Sequence, residues 1–418
     1  MPETILKSQA KSTAPLRKVR LGALDPVLER DDTGVIHIRS AQVLAPYHAT
    51  LGEPLEHWAV AAPQRVYLAG RGADGNWRKL GYAEVLGMVR KIGAALLRRG
   101  LSAEKPIVIL SGNDIEHALL ALAAMYVGIP YAPISPAYSL LSSDFGKLRM
   151  IFDLLTPGLV FASDGVAFGR AIYAIVPDSI ELVVTRNPLG DRKTTTFSDL
   201  LGAEDDAGVS AARSAVTTDS IAKFLFTSGS TGQPKAVINT HRMLCSNQAM
   251  IAAGFCFVAD EPPVVVDWLP WSHTFGSNHN FNLVLVNGGS LYIDDGNPTP
   301  PGVPKTARNL REVAPTIYFY VPKGYEALLP HFHADETLRK NFFGRLKVLF
   351  YAGAGLNQQT WDELTRLAIG TTGAACRDCY GAGNENGSFR CPISRCATRR
   401  QPNWRGACAP RRSRLSRW

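Results

Sequence analysis

One short loop, TSGSTGQPKA from Thr227 to Ala236, carries the residues best suited to chemistry. Gly229 and Gly232 allow backbone torsions that other residues resist, and hydroxyl side chains surround them, so N–H and O–H donors can converge on one anion. Lys235 adds a mobile positive charge at the far end of the loop. A polyphosphate needs donors from several directions and a cation for its excess charge, so this loop suggests ATP.

Two other interpretations fit the residues of this loop less well. A run of Ser, Thr and Gly is often an exposed linker, but strand-like residues at 221–226 and 236–238 flank this one on both sides. A Walker A loop needs four residues between its first glycine and a Gly-Lys-Ser/Thr, followed by a helix. Here the glycines are too close, Pro234 supplies no N–H before Lys235, and a strand follows rather than a helix N-terminus.

The loop resembles the phosphate-binding signature of the adenylate-forming superfamily, which includes acyl- and aryl-CoA synthetases, luciferases and adenylation domains. Three further stretches resemble motifs of the same superfamily in the expected order: YVGIPYAPI at 126–134, DWLPWSHTFG at 267–276 and LFYAGAG at 349–355. The resemblance extends from about residue 40 to residue 373. It implies an α/β fold, namely the large N-terminal domain of these enzymes with two βαβ-type lobes.

Three stretches narrow the resemblance to one subfamily. PISPAYS at 133–139, DFGKL at 144–148 and WSHTFGSNHN at 271–280 look most like bacterial feruloyl-CoA synthetases. The resemblance implies an aromatic acid of the feruloyl or hydroxycinnamate type as substrate, with ATP, Mg²⁺ and CoA as cofactor and co-substrates. It implies neither a nucleic-acid nor a membrane partner, and it leaves the oligomeric state open.

The implied reaction has two steps. The carboxylate attacks the α-phosphate of ATP and releases pyrophosphate, and a CoA thiol then displaces AMP from the acyl-adenylate. Such transfers depend mainly on positioning and charge neutralisation, so donor loops and cations matter more than a covalent residue.

Matching the motifs position by position implies the site residues. The β- and γ-phosphates would be held by Thr227, Ser228, Gly229, Ser230, Thr231, Gly232 and Lys235, and the adenine side would be lined by Gly353, Ala354 and Gly355. Lys235 and His273 are the candidate catalytic residues, with His273 beside the reacting carboxylate, and the acid slot would be formed by His273, Phe275, Asn278 and Asn280. We assign no metal-ligating residue. The alternatives are a histidine packed at a strand end and plain turn glycines.

The elements around these motifs alternate between strands and helices. Helical spacing from Tyr82 ends at Gly100, and a strand at 107–110, a helix from Asp114 to Val127 and a strand at 131–134 form a βαβ unit, which predicts a parallel sheet. Further predicted elements are a helix at 145–155, strands at 159–162 and 182–185, a helix at 240–253, and strands at 264–268, around Tyr292, at 317–321 and at 347–351. Ligands in such sheets bind beyond the carboxyl ends of strands.

A loose segment at 202–220 predicts a link between two lobes, at about 40–205 and 215–373. Residues 1–39 are expected to be a disordered or extended lead. The long uncharged stretch 118–141 contains three prolines, which argue against a membrane helix. We therefore expect a cytoplasmic protein without a secretory signal.

Residues 374–418 differ from the rest of the chain. Their ten arginines and two acids account for +8 of the net charge of +9, and they hold five of the seven cysteines. A zinc site at Cys376, Cys379, Cys391 and Cys396 and an arginine-rich nucleic-acid arm are two interpretations. The third, which we favour, is a shifted reading frame that replaces the family's small C-terminal domain with an aberrant tail.

Two classes of function therefore remain open at this point. The first is an acid–CoA ligase, impaired by its altered end. The second is a non-catalytic remnant that binds a nucleotide or an aromatic acid.

Overall fold

The computed structural model describes residues 14–23, 25–227 and 233–381, with only the backbone described at 377–381. Its strands in chain order are β1 (Pro26–Arg30), β2 (Ile36–Ser40), β3 (Val66–Arg71), β4 (Trp77–Gly81), β5 (Ile107–Leu110), β6 (Tyr131–Pro133), β7 (Leu159–Asp164), β8 (Glu181–Arg186), β9 (Thr195–Thr196), β10 (Ile221–Thr227), β11 (Lys235–Thr240), β12 (Val264–Asp267), β13 (Ser290–Ile293), β14 (Ile317–Tyr320), β15 (Val348–Ala352) and β16 (Arg377–Gly381).

The α-helices of the same residues are α1 (Gly52–Ala61), α2 (Tyr82–Arg98), α3 (Ile115–Tyr126), α4 (Ala137–Leu140), α5 (Gly146–Leu155), α6 (Gly165–Ile175), α7 (Phe197–Leu201), α8 (Ala207–Ala215), α9 (His241–Gly254), α10 (Asn282–Val286), α11 (Val303–Glu312), α12 (Pro322–Ala334), α13 (Glu336–Arg345) and α14 (Gln358–Thr372). A 3₁₀-helix spans Cys256–Ala259 and a π-helix spans Phe275–Phe281.

The first sheet has seven strands in the order β11-β10-β6-β5-β7-β8-β9. All neighbouring pairs are parallel except β10 and β11, which form an antiparallel hairpin at one edge. Strand β5 is buried along its whole length, as expected for a parallel strand that is covered on both faces. The predicted α/β fold is confirmed.

Helices α2 and α3 supply much of the main core. In α2 the predicted apolar positions Val85, Val89, Ile92 and Leu96 are fully buried. Gly100 follows the helix with φ +68°, the left-handed conformation for which glycine is suited. All residues of α3 except Glu116 are buried, so the start of the long uncharged stretch is a core helix.

Besides the two-stranded pair β1–β2, the described residues form two smaller sheets. The second has the order β12-β13-β3-β4 and the third is the parallel set β14-β15-β16. Strand β3, from the predicted first lobe, pairs in parallel with β13 from the second. Strands β10 and β11, from the second lobe, join the sheet that contains β5–β9 of the first. Both sheets therefore contain strands from either side of the lobe boundary predicted at about residues 205–215. The domain division as such stays a prediction.

The segment predicted to be loose contains helix α8. The Asp206 side chain accepts hydrogen bonds from the first-turn amides, and Val209 is fully buried. The Arg213 guanidinium lies 2.9 Å from the Glu56 carboxylate of α1. These tertiary contacts fix a helix that composition alone did not indicate.

Two features lie outside the predicted 40–373 range. Strands β1 and β2 form an exposed antiparallel hairpin within the predicted lead, and Leu16 makes a parallel bridge with Ala375. Beyond Gly373, Ala375 and Cys376 are buried, and β16 pairs with β15. The described fold therefore continues eight residues past Gly373, to Gly381.

Candidate active site

The hairpin β10–β11 holds the two ends of the predicted phosphate loop. Thr227 and Lys235 are paired residues of the hairpin, and both are exposed. Ser228, Gly229, Ser230, Thr231 and Gly232 lie outside the described residues. The structure thus confirms the strands that flank the loop and brings Thr227 and Lys235 together at the carboxyl end of β10.

The predicted acid-binding motif forms the π-helix Phe275–Phe281. The sequence placed this motif after a strand but did not predict a π-helix, a rare conformation that is often found at functional sites. Gly276 permits the close approach of this helix to the preceding segment, because a Cβ atom there would lie 2.2 Å from the Leu269 carbonyl oxygen.

Hydrogen bonds join the π-helix to β11 and α9. Asn278 Nδ2 donates to Asn239 Oδ1 at 2.9 Å and to Thr274 Oγ1 at 3.1 Å. Gln248 Nε2 of α9 donates to the Asn278 carbonyl oxygen at 2.6 Å. The buried Asn278 Oδ1 has no hydrogen-bond partner among the residues that the structure describes. Asn239 and Gln248 support the site, although no sequence motif indicated either residue.

Aromatic contacts join the π-helix to β14 and β15. The Phe275 ring lies 5.6 Å from the Phe350 ring and 6.1 Å from the Phe319 ring. The His279 ring lies 5.4 Å from that of Phe350, and burial lowers the pKa of His279 to about 4, so its imidazole is neutral. The π-helix is thereby packed against the strand that leads to the predicted adenine loop.

The predicted adenine loop follows β15. Gly353, Ala354 and Gly355 are all exposed, and Gly353 has φ +86°, which a residue with a Cβ atom rarely adopts. The structure places them between β15 and α14, as expected both for a ligand loop and for a simple turn.

His273 is exposed just before the π-helix. Its Nδ1 accepts a hydrogen bond from the Phe275 amide at 3.2 Å. The proton of the neutral imidazole is therefore on Nε2, which can donate to an oxygen of a bound ligand. Phe275 is the first residue of the π-helix, so this hydrogen bond holds the His273 ring at the start of that helix.

Asn280 is completely buried and faces inward. Its Nδ2 donates to Asp267 Oδ2 at 2.8 Å, and its Oδ1 lies 2.9 Å from His279 Nδ1. Burial, with a smaller contribution from the nearby Asp294 carboxylate, raises the pKa of Asp267 to about 7. These contacts indicate a positioning role for Asn280 and Asp267, whereas the motif alone suggested that Asn280 lines the acid slot.

The described residues contain no group of three or more His, Cys, Asp or Glu side chains that could hold a metal ion. Cys376 is described, with its Sγ 3.7 Å from the Leu346 carbonyl oxygen, whereas the side chains of the other cysteines in the suggested zinc site lie outside the described residues. In the same part of the chain, no helix combines the length and apolar content that crossing a membrane requires.

Comparison with models of protein families gives a match that covers most of the chain. The model of the AMP-binding enzyme family matches residues 55–404. The chain belongs to this family. The match includes the β10–β11 hairpin, the π-helix and the loop after β15, and it continues past Gly373 into the arginine- and cysteine-rich segment. Ligases of this family use ATP and CoA to activate a carboxylic acid as an acyl-adenylate and CoA thioester.

Individual relatives agree with the family. A 4-hydroxybenzoate–CoA/benzoate–CoA ligase of Rhodopseudomonas palustris is 28% identical over 288 residues, which are 68% of this chain and 49% of that protein. The ATP-bound structure of MatB from the same species has a TM-score of 0.59 at 23% identity, with 79% of this chain and 59% of that chain covered. A benzoate CoA ligase from Burkholderia xenovorans LB400 has a TM-score of 0.61 at 18% identity, with 80% and 61% covered.

These structural similarities establish the fold, that of the large N-terminal domain of adenylate-forming enzymes. The chain spans about half the length of the curated relatives it matches.

Proposed function

We propose that this chain activates an aromatic carboxylic acid of the feruloyl or hydroxycinnamate type with ATP and transfers the acyl group to CoA. The observation that carries the proposal is the π-helix Phe275–Phe281, which contacts the hairpin of the phosphate loop through Asn278 and the strand of the adenine loop through Phe275. One element thus links the three motifs that the reaction needs.

The aromatic side chains of this region support the proposal of an aromatic substrate. The rings of Phe275, His279, Phe319 and Phe350 meet at mutual centroid distances of 5.1–6.1 Å. Aromatic rings favour such edge and offset contacts, and small-molecule sites combine an apolar lining with a few polar groups. The relative named for 4-hydroxybenzoate and benzoate supports an aromatic acid.

The chemistry assigns distinct tasks to the site residues. A carboxylate oxygen attacks the α-phosphorus of ATP, the bond to the bridging oxygen breaks, and pyrophosphate leaves with that electron pair. His273 Nε2–H would orient the carboxylate. Lys235, Thr227 and the loop between them would neutralise the departing phosphates. In the second step the CoA thiol loses its proton to solvent and its sulfur attacks the acyl carbonyl carbon. The bond from that carbon to the AMP oxygen then breaks, and AMP leaves with the electron pair.

Mg²⁺ would enter with ATP. The described residues provide no dedicated ligand cluster for it, and no role above depends on a protein-bound metal. Because the reaction requires ATP and CoA, we also propose a cytoplasmic location, with no nucleic-acid or membrane partner.

The test is acid-dependent ATP–pyrophosphate exchange on the 418-residue chain, with ferulate, benzoate and acetate as parallel substrates. We expect exchange with ferulate, weaker exchange with benzoate and little with acetate. His273→Ala should reduce exchange by about 10²-fold, the scale typical of a lost positioning or polar catalytic group. Exchange with acetate alone would refute the aromatic substrate. Calorimetric binding of ATP without exchange would favour the non-catalytic alternative.

A further inference from the structure

Lys223 is a completely buried lysine in the middle of the protein. It lies in β10, is 1% exposed, and pairs through its backbone with Tyr131 of β6. Lysines are almost never fully buried unless a partner offsets their charge. The sequence showed it only as one residue of a predicted strand, so its burial needs an explanation.

The Lys223 amine contacts the π-helix directly. Its Nζ donates to Ser277 Oγ at 2.5 Å and lies 5.9 Å from the centre of the Tyr131 ring. Ser277 is 3% exposed and occupies the third position of the π-helix Phe275–Phe281. The side chain thus spans from the strand that ends at the phosphate loop to the helix that carries the acid-binding motif.

No carboxylate in the described part of the chain pairs with Lys223, and the loop residues 228–232 contain no acidic side chain. The titratable groups that face it are Tyr131 of β6, His117 of α3 and His241 of α9. Burial lowers the pKa of both histidines to about 4, so they are neutral near pH 7 and supply no counter-ion.

We propose that Lys223 is a positioning residue, whose amine holds the π-helix, and with it His273 and Phe275, against the strand that leads to the phosphate loop. The contact with Ser277 is the physical link. Its consequence for activity rests on the function proposed above, whereas its consequence for the π-helix does not.

The link depends on the charge of the amine. Burial lowers the pKa of Lys223 to about 7. The uncharged amine donates one hydrogen to Ser277 and needs no counter-ion. The ammonium form carries a charge and three donors in a site without a carboxylate, so its burial costs free energy. Movement of the π-helix lets water reach the ammonium and relieves that cost. Acidification should therefore loosen the segment 268–281.

One other group near the π-helix changes charge in the same range. Asp267 contacts the helix from its other side through Asn280, and burial raises its pKa to about 7. Its effect opposes that of Lys223, because raising the pH charges Asp267 and so lowers protection, and a test of Lys223 has to separate the two groups.

The experiment is hydrogen–deuterium exchange of the peptide 268–281 between about pH 6 and pH 8.5, corrected for the intrinsic rate. In the wild-type protein we expect protection to be several-fold, up to about tenfold, greater at the higher pH, the scale of one hydrogen bond. Lys223→Met should abolish this gain in protection at the higher pH. Ser277→Ala keeps the buried amine but removes its acceptor, so it should lower the protection of the peptide at pH 8.5 below that of the wild type. Asp267→Asn should retain the gain. Lys79→Met, at an exposed position of strand β4, is the matched control and should behave as the wild type.

Other outcomes overturn the proposal. These are protection in Asp267→Asn that is independent of pH, a gain at the higher pH that persists in Lys223→Met, or protection in Ser277→Ala at pH 8.5 that equals that of the wild type. If Lys223→Met does not fold, Ser277→Ala decides, since it removes the acceptor and keeps the lysine.

Pyrophosphate exchange with ferulate provides a second measurement. In the wild-type protein we expect the exchange rate to fall as the pH is lowered. In Lys223→Met this fall should be absent or displaced to another pH, and KM should change more for the acid than for ATP. If no acid supports exchange in the wild-type protein, the proposed function fails, and the deuterium-exchange result still decides the role of Lys223.

Discussion

Asp267 is a buried acid beneath the π-helix, and its environment predicts how stability depends on pH. It is 2% exposed and accepts hydrogen bonds from Asn280 Nδ2 and, at 3.0 Å, from the Leu269 amide. Burial is the main reason that its pKa rises from 3.8 to about 7. The native state therefore holds the proton of Asp267 more tightly than the unfolded chain does.

The raised pKa of Asp267 fixes the direction in which the unfolding free energy changes with pH. Stability from the protonated Asp267 is fully present below the pKa of the unfolded chain and is lost as the pH rises through about 7. Each unit of difference corresponds to about 1.4 kcal/mol of unfolding free energy. Thermal unfolding should show that the advantage of the wild type over Asp267→Asn shrinks between about pH 5 and about pH 8.

The control for this prediction is Asp153→Asn, which removes one charge at an exposed position of α5. Parallel pH profiles for the wild type and Asp267→Asn would contradict the account of a buried acid.

At the scale of elements, the strands and the π-helix differ in what the sequence could predict. Continuous apolar runs predicted β5 and β15 because buried parallel strands require them on both faces. Hydrogen bonds to residues distant in the sequence, among them Asn239 and Asp267, hold the π-helix. Residue spacing alone therefore indicated the motif but not its helical conformation. The assignment of Asn280 to the acid slot stays a prediction, and in the structure its amide contacts Asp267 and His279.

Gly276 allows the π-helix to be tested as an element. A Cβ atom there would lie 2.2 Å from the Leu269 carbonyl oxygen and 2.7 Å from that of Pro270, and backbone atoms cannot move aside independently. We expect Gly276→Ala to lower the unfolding free energy by about 1–3 kcal/mol and to abolish ferulate-dependent exchange. Chemical denaturation and the exchange assay are the measurements.

Gly87→Ala in α2 is the matched control, because its added Cβ would meet no described atom within 4 Å apart from its chain neighbours and its own helix backbone. It should be neutral or stabilise the protein by up to about 1 kcal/mol, since alanine favours a helix. Equal losses in the two variants would show that the close approach at Gly276 does not constrain the π-helix.

At the scale of the whole molecule, three sheets lie around the candidate site, and two of them combine strands from distant parts of the chain. The α/β class and the order of motifs were predictable, because each depends on local patterns. The pairing of β3 with β13 was not, since it joins residues more than 200 positions apart. The hairpin β1–β2 was missed, and the frameshift interpretation of residues 374–418 stays a prediction, although β16 and the family match both extend beyond Gly373.

The most direct measurement follows the oxygen atoms of the substrate. Ferulate labelled with oxygen-18 in its carboxylate would be incubated with the chain, ATP and Mg²⁺, with hydroxylamine as the acyl acceptor, and the released AMP would be analysed by mass spectrometry. The account predicts AMP that carries one labelled oxygen, because the carboxylate attacks the α-phosphorus and acyl transfer leaves that oxygen on AMP. Unlabelled AMP, or ferulate-dependent release of ADP instead, would contradict adenylate formation at this site.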